Sequence, residues 1–146
     1  PEVNYKINRD FKIGSGVDIK KGNKVLILST GNIISHVIKA SSELEKNKIS
    51  TKVVSFPCFK PINTPYVKKL LKNFKYIITV EEHDISGGFG SSIEEIIVNL
   101  NKKSIYFKKI GLKNEIHKEI GNQEYLRKIK KINYKGITNT ILKLLK

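Results

Sequence analysis

Short, almost wholly apolar runs alternate along this chain with longer stretches in which apolar residues return every three or four positions. Val25-Leu26-Ile27-Leu28-Ser29, set between the turn signal Lys21-Gly22-Asn23 and Thr30-Gly31-Asn32, has the length and β-branched content of a buried strand. Ile33, Ile34, Val37, Ile38, Ala40 and Leu44 then share one side of a helix reaching about Asn47, with Ser41, Ser42, Glu43, Glu45 and Lys46 largely elsewhere. Thr51-Lys52-Val53-Val54-Ser55-Phe56, stopped by Pro57, predicts a second strand. Thr64-Pro65 supplies an N-cap followed by proline at the first helical position, and Val67, Leu70, Leu71 and Phe74 repeat at i, i+3, i+4 and i+7. Tyr76-Ile77-Ile78-Thr79-Val80 reads as a third buried strand. It ends in Glu81-Glu82-His83 and the glycine-rich Gly87-Gly88-Phe89-Gly90. Ile93, Ile96, Ile97 and Leu100 mark the next helix, with Ser92 and Glu95 spaced as a capping box. Ser104 to Ile110 predicts a fourth strand; Gln123–Lys130 and Ile137–Leu145 predict closing helices.

Strands separated by helices of this length imply parallel crossovers, because two parallel strands need a dozen or more residues between them. The class is therefore α/β, in three layers. Phe11-Lys12-Ile13 and Val17-Asp18-Ile19 flank Gly14-Ser15-Gly16 and predict an edge strand with a bend. At 146 residues one core is enough, and no repeat or low-complexity stretch divides the chain.

Composition narrows the class of function. Hydrophobic residues make up 39% and charged residues 28%, and no run approaches the ~18 consecutive apolar residues of a membrane span. Cys58 is the single cysteine, which excludes an internal disulfide, and no secretory pattern opens the chain, so a reducing cytoplasm is the expected compartment. The 28 Lys+Arg exceed the 13 Asp+Glu by +15, a balance that invites nucleic acid or an anionic membrane. Yet Arg occurs only at Arg9 and Arg127, and the lysines are scattered without interleaved aromatics, which argues against nucleic acid. Lys128, Lys130, Lys131 and Lys135 are the exception, a cluster in sequence.

Ligands of open α/β sheets gather beyond the carboxyl ends of the strands, so Thr30-Gly31-Asn32, Pro57 to Asn63 and Glu81 to Ser92 should share one edge. The last combines two carboxylates, a histidine and three glycines before a helix. A helix start favours an anion, and glycines admit a phosphate or another backbone. The motif nevertheless lacks the Lys-Ser/Thr ending of a P-loop. A tight turn packed on a neighbouring domain competes with phosphate binding. His83 between Glu82 and Asp84 suits an acid, a base or an orienting group. His36, on the flank of its helix, and His117, in a charged loop, have no ligand spacing that joins them to Cys58 or His83, so no metal site is expected. Cys58 has no CxxC partner.

Thr79-Val80-Glu81-Glu82-His83-Asp84-Ile85-Ser86-Gly87-Gly88-Phe89-Gly90-Ser91 resembles the strand-to-helix signature of the transketolase C-terminal domain, shared in looser form with deoxyxylulose-phosphate synthases and the 2-oxoacid dehydrogenase β component. Ser29-Thr30-Gly31 and the stretch Val53 to Asn63 match in order, with Asn63 where Asp is common; Ile110 to Glu115, Tyr125-Leu126 and Gly136-Ile137 resemble the closing pattern. The Glu-Glu-His form is most similar to transketolases split into two shorter chains.

The resemblance implies a three-layer α/β/α domain over 11–146, with a five-stranded, mostly parallel sheet whose first strand is antiparallel. It implies membership of a thiamine-diphosphate enzyme that transfers a two-carbon ketol unit between sugar phosphates. It also implies that thiamine diphosphate and Mg²⁺ are held by pyrimidine-binding and diphosphate-binding domains or chains absent here, within a homodimer or heterotetramer, so that these residues alone are inactive. Glu81 and Glu82 are not assigned the cofactor-activating role. Glu82 and His83, with Gly87, Gly88, Phe89 and Gly90, are the expected interface or substrate-side loop, the last four as a close-packed turn. Residues 1–10, without a strong pattern in a chain that has no Met, read as a linker from an upstream domain, and the chain as a fragment of a longer polypeptide. A free-standing anion- or protein-binding module is the reading from another class.

Overall fold

A computed structural model of the chain describes residues 12–100, 102, 104–113, 115 and 119–146. The expected linker over 1–10, Phe11 and His117 lie outside the described residues. Five strands, β1 (Val17–Lys20), β2 (Val25–Thr30), β3 (Thr51–Phe56), β4 (Tyr76–Asp84) and β5 (Tyr106–Leu112), form one sheet in the spatial order β1-β3-β2-β4-β5. β2 lies parallel to β3 and β4, β4 lies parallel to β5, and β1 runs antiparallel to β3. The helices are α1 (Ile34–Lys46), α2 (Thr64–Leu71), α3 (Phe89–Val98), α4 (Gln123–Ile129) and α5 (Tyr134–Leu144). This is the three-layer α/β/α architecture read from the pattern, and its one antiparallel strand is the one the family resemblance implies.

Each layer follows from strand periodicity. Val25, Ile27, Val53, Ile78 and Val80 face Val37, Ala40 and Leu44 of α1 and Ile137 and Ile141 of α5. The alternate residues Leu26, Leu28, Val54, Phe56 and Ile77 face Val67, Leu70 and Leu71 of α2 and Phe89, Ile93 and Ile96 of α3. β2 is central and covered on both faces, which is why its sequence is apolar without alternation. Burying a Leu or Ile side chain contributes about 1.5–3 kcal/mol, so these two clusters carry the fold.

Several boundaries differ from the sequence reading. The edge strand is only four residues long, because 12–16 turns back: the Ser15 amide donates to the Lys12 carbonyl and Gly14 adopts φ +75°. The N-cap of α2 is Asn63, not Thr64; its side chain accepts from the Tyr66 amide at 3.1 Å. Helix α5 opens three residues before Ile137 because Asn133 caps it, accepting from the Gly136 amide at 2.9 Å. Strand β4 runs on past its apolar run through Glu81–Asp84, since pairing with β5 continues to Asp84 and Leu112. Ser41, expected on the polar side of α1, is fully buried, taking a 2.8 Å hydrogen bond from the Lys20 ammonium and facing the Thr51 hydroxyl.

Candidate functional site

Strands β2 and β4 are neighbours whose outgoing connections travel in opposite directions across the sheet, β2 to β3 and β4 to β5. Such a switch point is where open α/β sheets form a ligand crevice. Two adjacent glutamates leave β4 there. Because successive strand side chains point to opposite faces, Glu81 turns toward α3 and Glu82 toward α4.

Glu81 is fully buried and accepts the amides of Phe89 and Gly90 at 2.7 and 2.8 Å. These are the first amides of α3, so a carboxylate eight residues upstream supplies the cap that the expected Ser92/Glu95 box does not. The helix starts at Phe89, too early for that box, and the Ser92 hydroxyl donates back to the Gly88 carbonyl. Burial pushes the Glu81 carboxyl above its ordinary pKa, and the two amides oppose that rise. Gly88 is required by close approach: a Cβ there would strike the Glu81 carboxylate and the Asp84 carbonyl. The rest of the turn is closed internally, with the Ser86 amide on Asp84 at 2.7 Å, the Ser91 hydroxyl on the Ile85 carbonyl at 2.8 Å and the Gly87 amide on Ser91 at 3.1 Å.

This geometry separates the loop residues predicted as a group. Phe89 is fully buried and packs on Phe56 and Phe59, at ring-centroid distances of 5.1 and 5.3 Å, in the domain's own core. Gly90 is buried against Thr79 and Lys109. The close packing of these two is therefore internal. Gly87 is exposed at φ +75°, and Gly88 is half-buried. His83 is exposed, and its ring forms no hydrogen bond within the described residues.

On the other face, Glu82 receives a two-pronged grip from Arg127, whose Nε and Nη2 donate to its carboxylate at 2.8 and 2.7 Å. The same guanidinium donates to Asn32 Oδ1 at 3.1 Å and to Glu124 Oε1 at 2.9 Å. Arg127 thus joins the loop after β2, the end of β4 and α4 across the switch point. It is 5% exposed, and hydrogen bonding to Glu82 holds its guanidinium still more firmly protonated than usual. His36 completes the cluster. Its Nδ1 accepts the Tyr134 amide at the start of α5 at 3.1 Å, which leaves Nε2 to carry the proton toward Glu124 Oε1 at 3.0 Å. The hydrogen bond from His36, followed by that from Arg127, lowers the Glu124 pKa.

His36 is therefore a buried structural link rather than a flanking residue. The sequence reading missed Arg127. The available signal was chemical: in a chain whose cations are otherwise almost all lysine, an arginine marks a place that needs a planar fork. Of the clustered lysines, Lys130 pairs with Glu115 and Glu119 at 3.3 and 3.1 Å, and Lys135 lies over the Tyr134 ring. Cys58 is half-buried with Sγ 3.5 Å from the Lys60 carbonyl. Among the described residues no three His, Cys, Asp or Glu side chains gather where they could hold a metal ion, and no helix is long and apolar enough to cross a membrane.

Groups of the chain itself occupy both the start of α3 and the switch point. The first two α3 amides are taken by Glu81, and the switch-point crevice holds the Arg127 guanidinium with its own carboxylates.

Comparison with known proteins agrees with this architecture. The family described as transketolase, C-terminal domain, matches residues 14–137. An apulose-4-phosphate transketolase chain of Actinobacillus succinogenes, one subunit of that enzyme, is 30% identical over 146 residues, covering 99% of this chain and 46% of the relative. A 1-deoxy-D-xylulose-5-phosphate synthase of Clostridium beijerinckii is 31% identical over 130 residues, covering 86% of this chain and 20% of the relative. The chain thus spans less than half the length of these curated relatives. A solved split-gene transketolase, described as an inactive beta4 tetramer, shares the fold with a TM-score of 0.82 at 24% identity, over 92% of this chain and 43% of that one.

Proposed function

Because the chain belongs to the transketolase C-terminal domain family, we propose that it is the C-terminal section of an enzyme that transfers a two-carbon ketol unit between sugar phosphates, and that it braces the domains where thiamine diphosphate works. The observation that carries this reading is the self-filled switch point: Arg127 and Glu81 satisfy the crevice and the helix start, while Glu82, His83 and Asp84 form a partly exposed acidic rim beside them. Such a surface is built to be held rigid against a neighbour rather than to enclose a small ligand.

The described residues do not fit the cofactor. At the glycine-rich helix start the Phe89 and Gly90 amides that a diphosphate would need are held by Glu81, and the chain contains no Gly-Asp-Gly sequence. When bound in the completing domains, thiamine diphosphate supplies the carbanion chemistry. What this chain supplies is position: Arg127 holds Glu82, the adjoining His83 faces outward, and Glu81 fixes the 85–88 turn between them. His83 is the polar group presented to the neighbouring domain, and the assembled enzyme is a homodimer or heterotetramer.

Reconstitution tests this directly. The chain mixed with a partner chain carrying pyrimidine- and diphosphate-binding domains should form a stable complex by size-exclusion chromatography with light scattering and should transfer ketol units; the chain alone should do neither. Assaying the same mixture for 1-deoxy-D-xylulose 5-phosphate formation separates the transketolase reading from the synthase reading. Turnover by these 146 residues alone, or tight thiamine-diphosphate uptake by them in calorimetry, would overturn it.

A further inference from the structure

Lysines that read as scattered in the sequence are collected by the fold. The loops leading into the four parallel strands lie at the amino-terminal edge of the sheet, opposite the Glu81 and Arg127 edge. Register sets Val25 beside Thr51 and Tyr76, and Tyr76 beside Tyr106, so loops 47–50, 21–24 and 72–75 and the described residues 102, 104 and 105 follow one another side by side. With adjacent strands about 4.8 Å apart, the row spans about 15 Å. Ser50 ties the first two loops, its carbonyl accepting the Lys24 and Val25 amides at 3.2 and 3.1 Å, and the Tyr106 amide ties the last two through the Lys75 carbonyl at 2.8 Å.

The described residues of this row include Lys21, Lys24, Lys48, Lys72, Lys75 and Lys102 and no carboxylate, and none of these lysines forms an ion pair within the described residues. Lys102 donates to the Lys72 and Phe74 carbonyls at 2.7 and 2.9 Å, which leaves five ammonium groups facing solvent. Lysines near the ends of α1 and α2 offset the helix dipoles, but Lys21 and Lys24 precede a strand and stand at no helix end.

Aromatic rings complete the row. Tyr76 and Tyr106 stack with centroids 5.2 Å apart and planes 18° apart, and the Lys75 ammonium lies over both rings at 5.7 and 5.1 Å. β5 is the last strand, so the outer side of Tyr106 meets no further strand among the described residues, and Tyr106 is 47% exposed. Lys108, exposed, follows two residues along the same face.

We propose that this amino-terminal edge binds single-stranded nucleic acid without sequence preference, with phosphates along the lysine row and a base stacked on Tyr106. Cations that track a backbone beside an exposed aromatic platform are what such binding uses. An anionic lipid surface or an acidic peptide engages the same charges without a base to stack on the ring. The surface lies at the far end of the strands from the rim assigned to domain contact, so the two can be engaged together.

Fluorescence anisotropy of a labelled 12-nucleotide oligouridylate, titrated with the chain at 50–300 mM salt, tests it. Contact with about five phosphates gives a slope of about −3.5 in log affinity against log salt. Lys21→Gln/Lys24→Gln/Lys75→Gln should flatten that slope by about 2, and Tyr106→Ala should weaken binding about tenfold with the slope unchanged. A matched triple elsewhere, Lys39→Gln/Lys60→Gln/Lys135→Gln, should leave both unchanged. If this control loses as much as the first triple, or if Tyr106→Ala binds like the parent chain, or if phosphatidylserine vesicles bind the row while the oligonucleotide does not, the proposal is overturned.

Discussion

Glu81 and Glu82 are neighbours in sequence and opposites in structure. Glu81 points into the α3 face, is fully buried, and uses both carboxylate oxygens to close a turn of its own chain. Glu82 points toward α4, keeps 24% of its side chain exposed, and is held by an arginine 45 residues away. One carboxylate stabilises a local loop; the other fastens a remote helix to the sheet edge. A pair of acids in a sequence is therefore not a functional unit until the strand's alternation has assigned each to a face.

The sharpest break of that contrast is a charge in the loop that Glu81 supports. Phe89→Asp should abolish the cooperative unfolding transition in circular dichroism, since an unpaired carboxylate would sit among Phe56, Phe59 and Ile93 at a cost above about 4 kcal/mol. It would destroy the domain instead of reporting on an interface. Glu81→Ala should cost about 3 kcal/mol in urea unfolding, because two buried amides lose a charged acceptor; Glu81→Gln should recover part of this, having one acceptor oxygen in place of two. On the other side, Arg127→Ala should cost about 2 kcal/mol, less than a fully buried pair because Glu82 can turn to water. Arg127→Lys should recover little of it, since an ammonium cannot hold Glu82, Asn32 and Glu124 in one plane.

His83→Ala should change stability by less than about 0.5 kcal/mol, as an exposed side chain, and yet lower turnover of the reconstituted enzyme. An unchanged rate would remove His83 from the proposed contact. The smallest effect is on pH dependence, where the two regions again oppose each other. The Glu124 pKa is lowered in the folded state, so its contribution is complete above the ordinary glutamate value of about 4.3 and is lost as pH falls through the folded pKa. The Glu81 pKa is raised, so its contribution is complete below that value and is lost as pH rises through the folded pKa. Urea midpoints from pH 3 to 6 should thus rise less with pH in Glu124→Gln, by an amount solvent screening keeps small, and more in Glu81→Gln than in the parent chain.

The sequence by itself determined the class and order of the elements. Buried parallel strands must be short apolar runs, and covering helices must repeat every three or four residues, so β2 to β5 and the five helices could be read from pattern. It also pointed to the family, through Thr79 to Ser91 together with Ser29–Gly31, Val53–Asn63 and the closing motifs in the same order. Tertiary structure decided the caps and the wiring. Asn63 rather than Thr64 capping α2, Glu81 closing α3, His36 bridging to α4 and α5, and Arg127 filling the switch point are contacts over three to nearly a hundred residues, and no local periodicity records which distant group will satisfy a buried amide or charge. The lysine row shows the same limit. Its members are strewn along the chain, and only the sheet, whose four parallel strands all begin at one edge, brings them together.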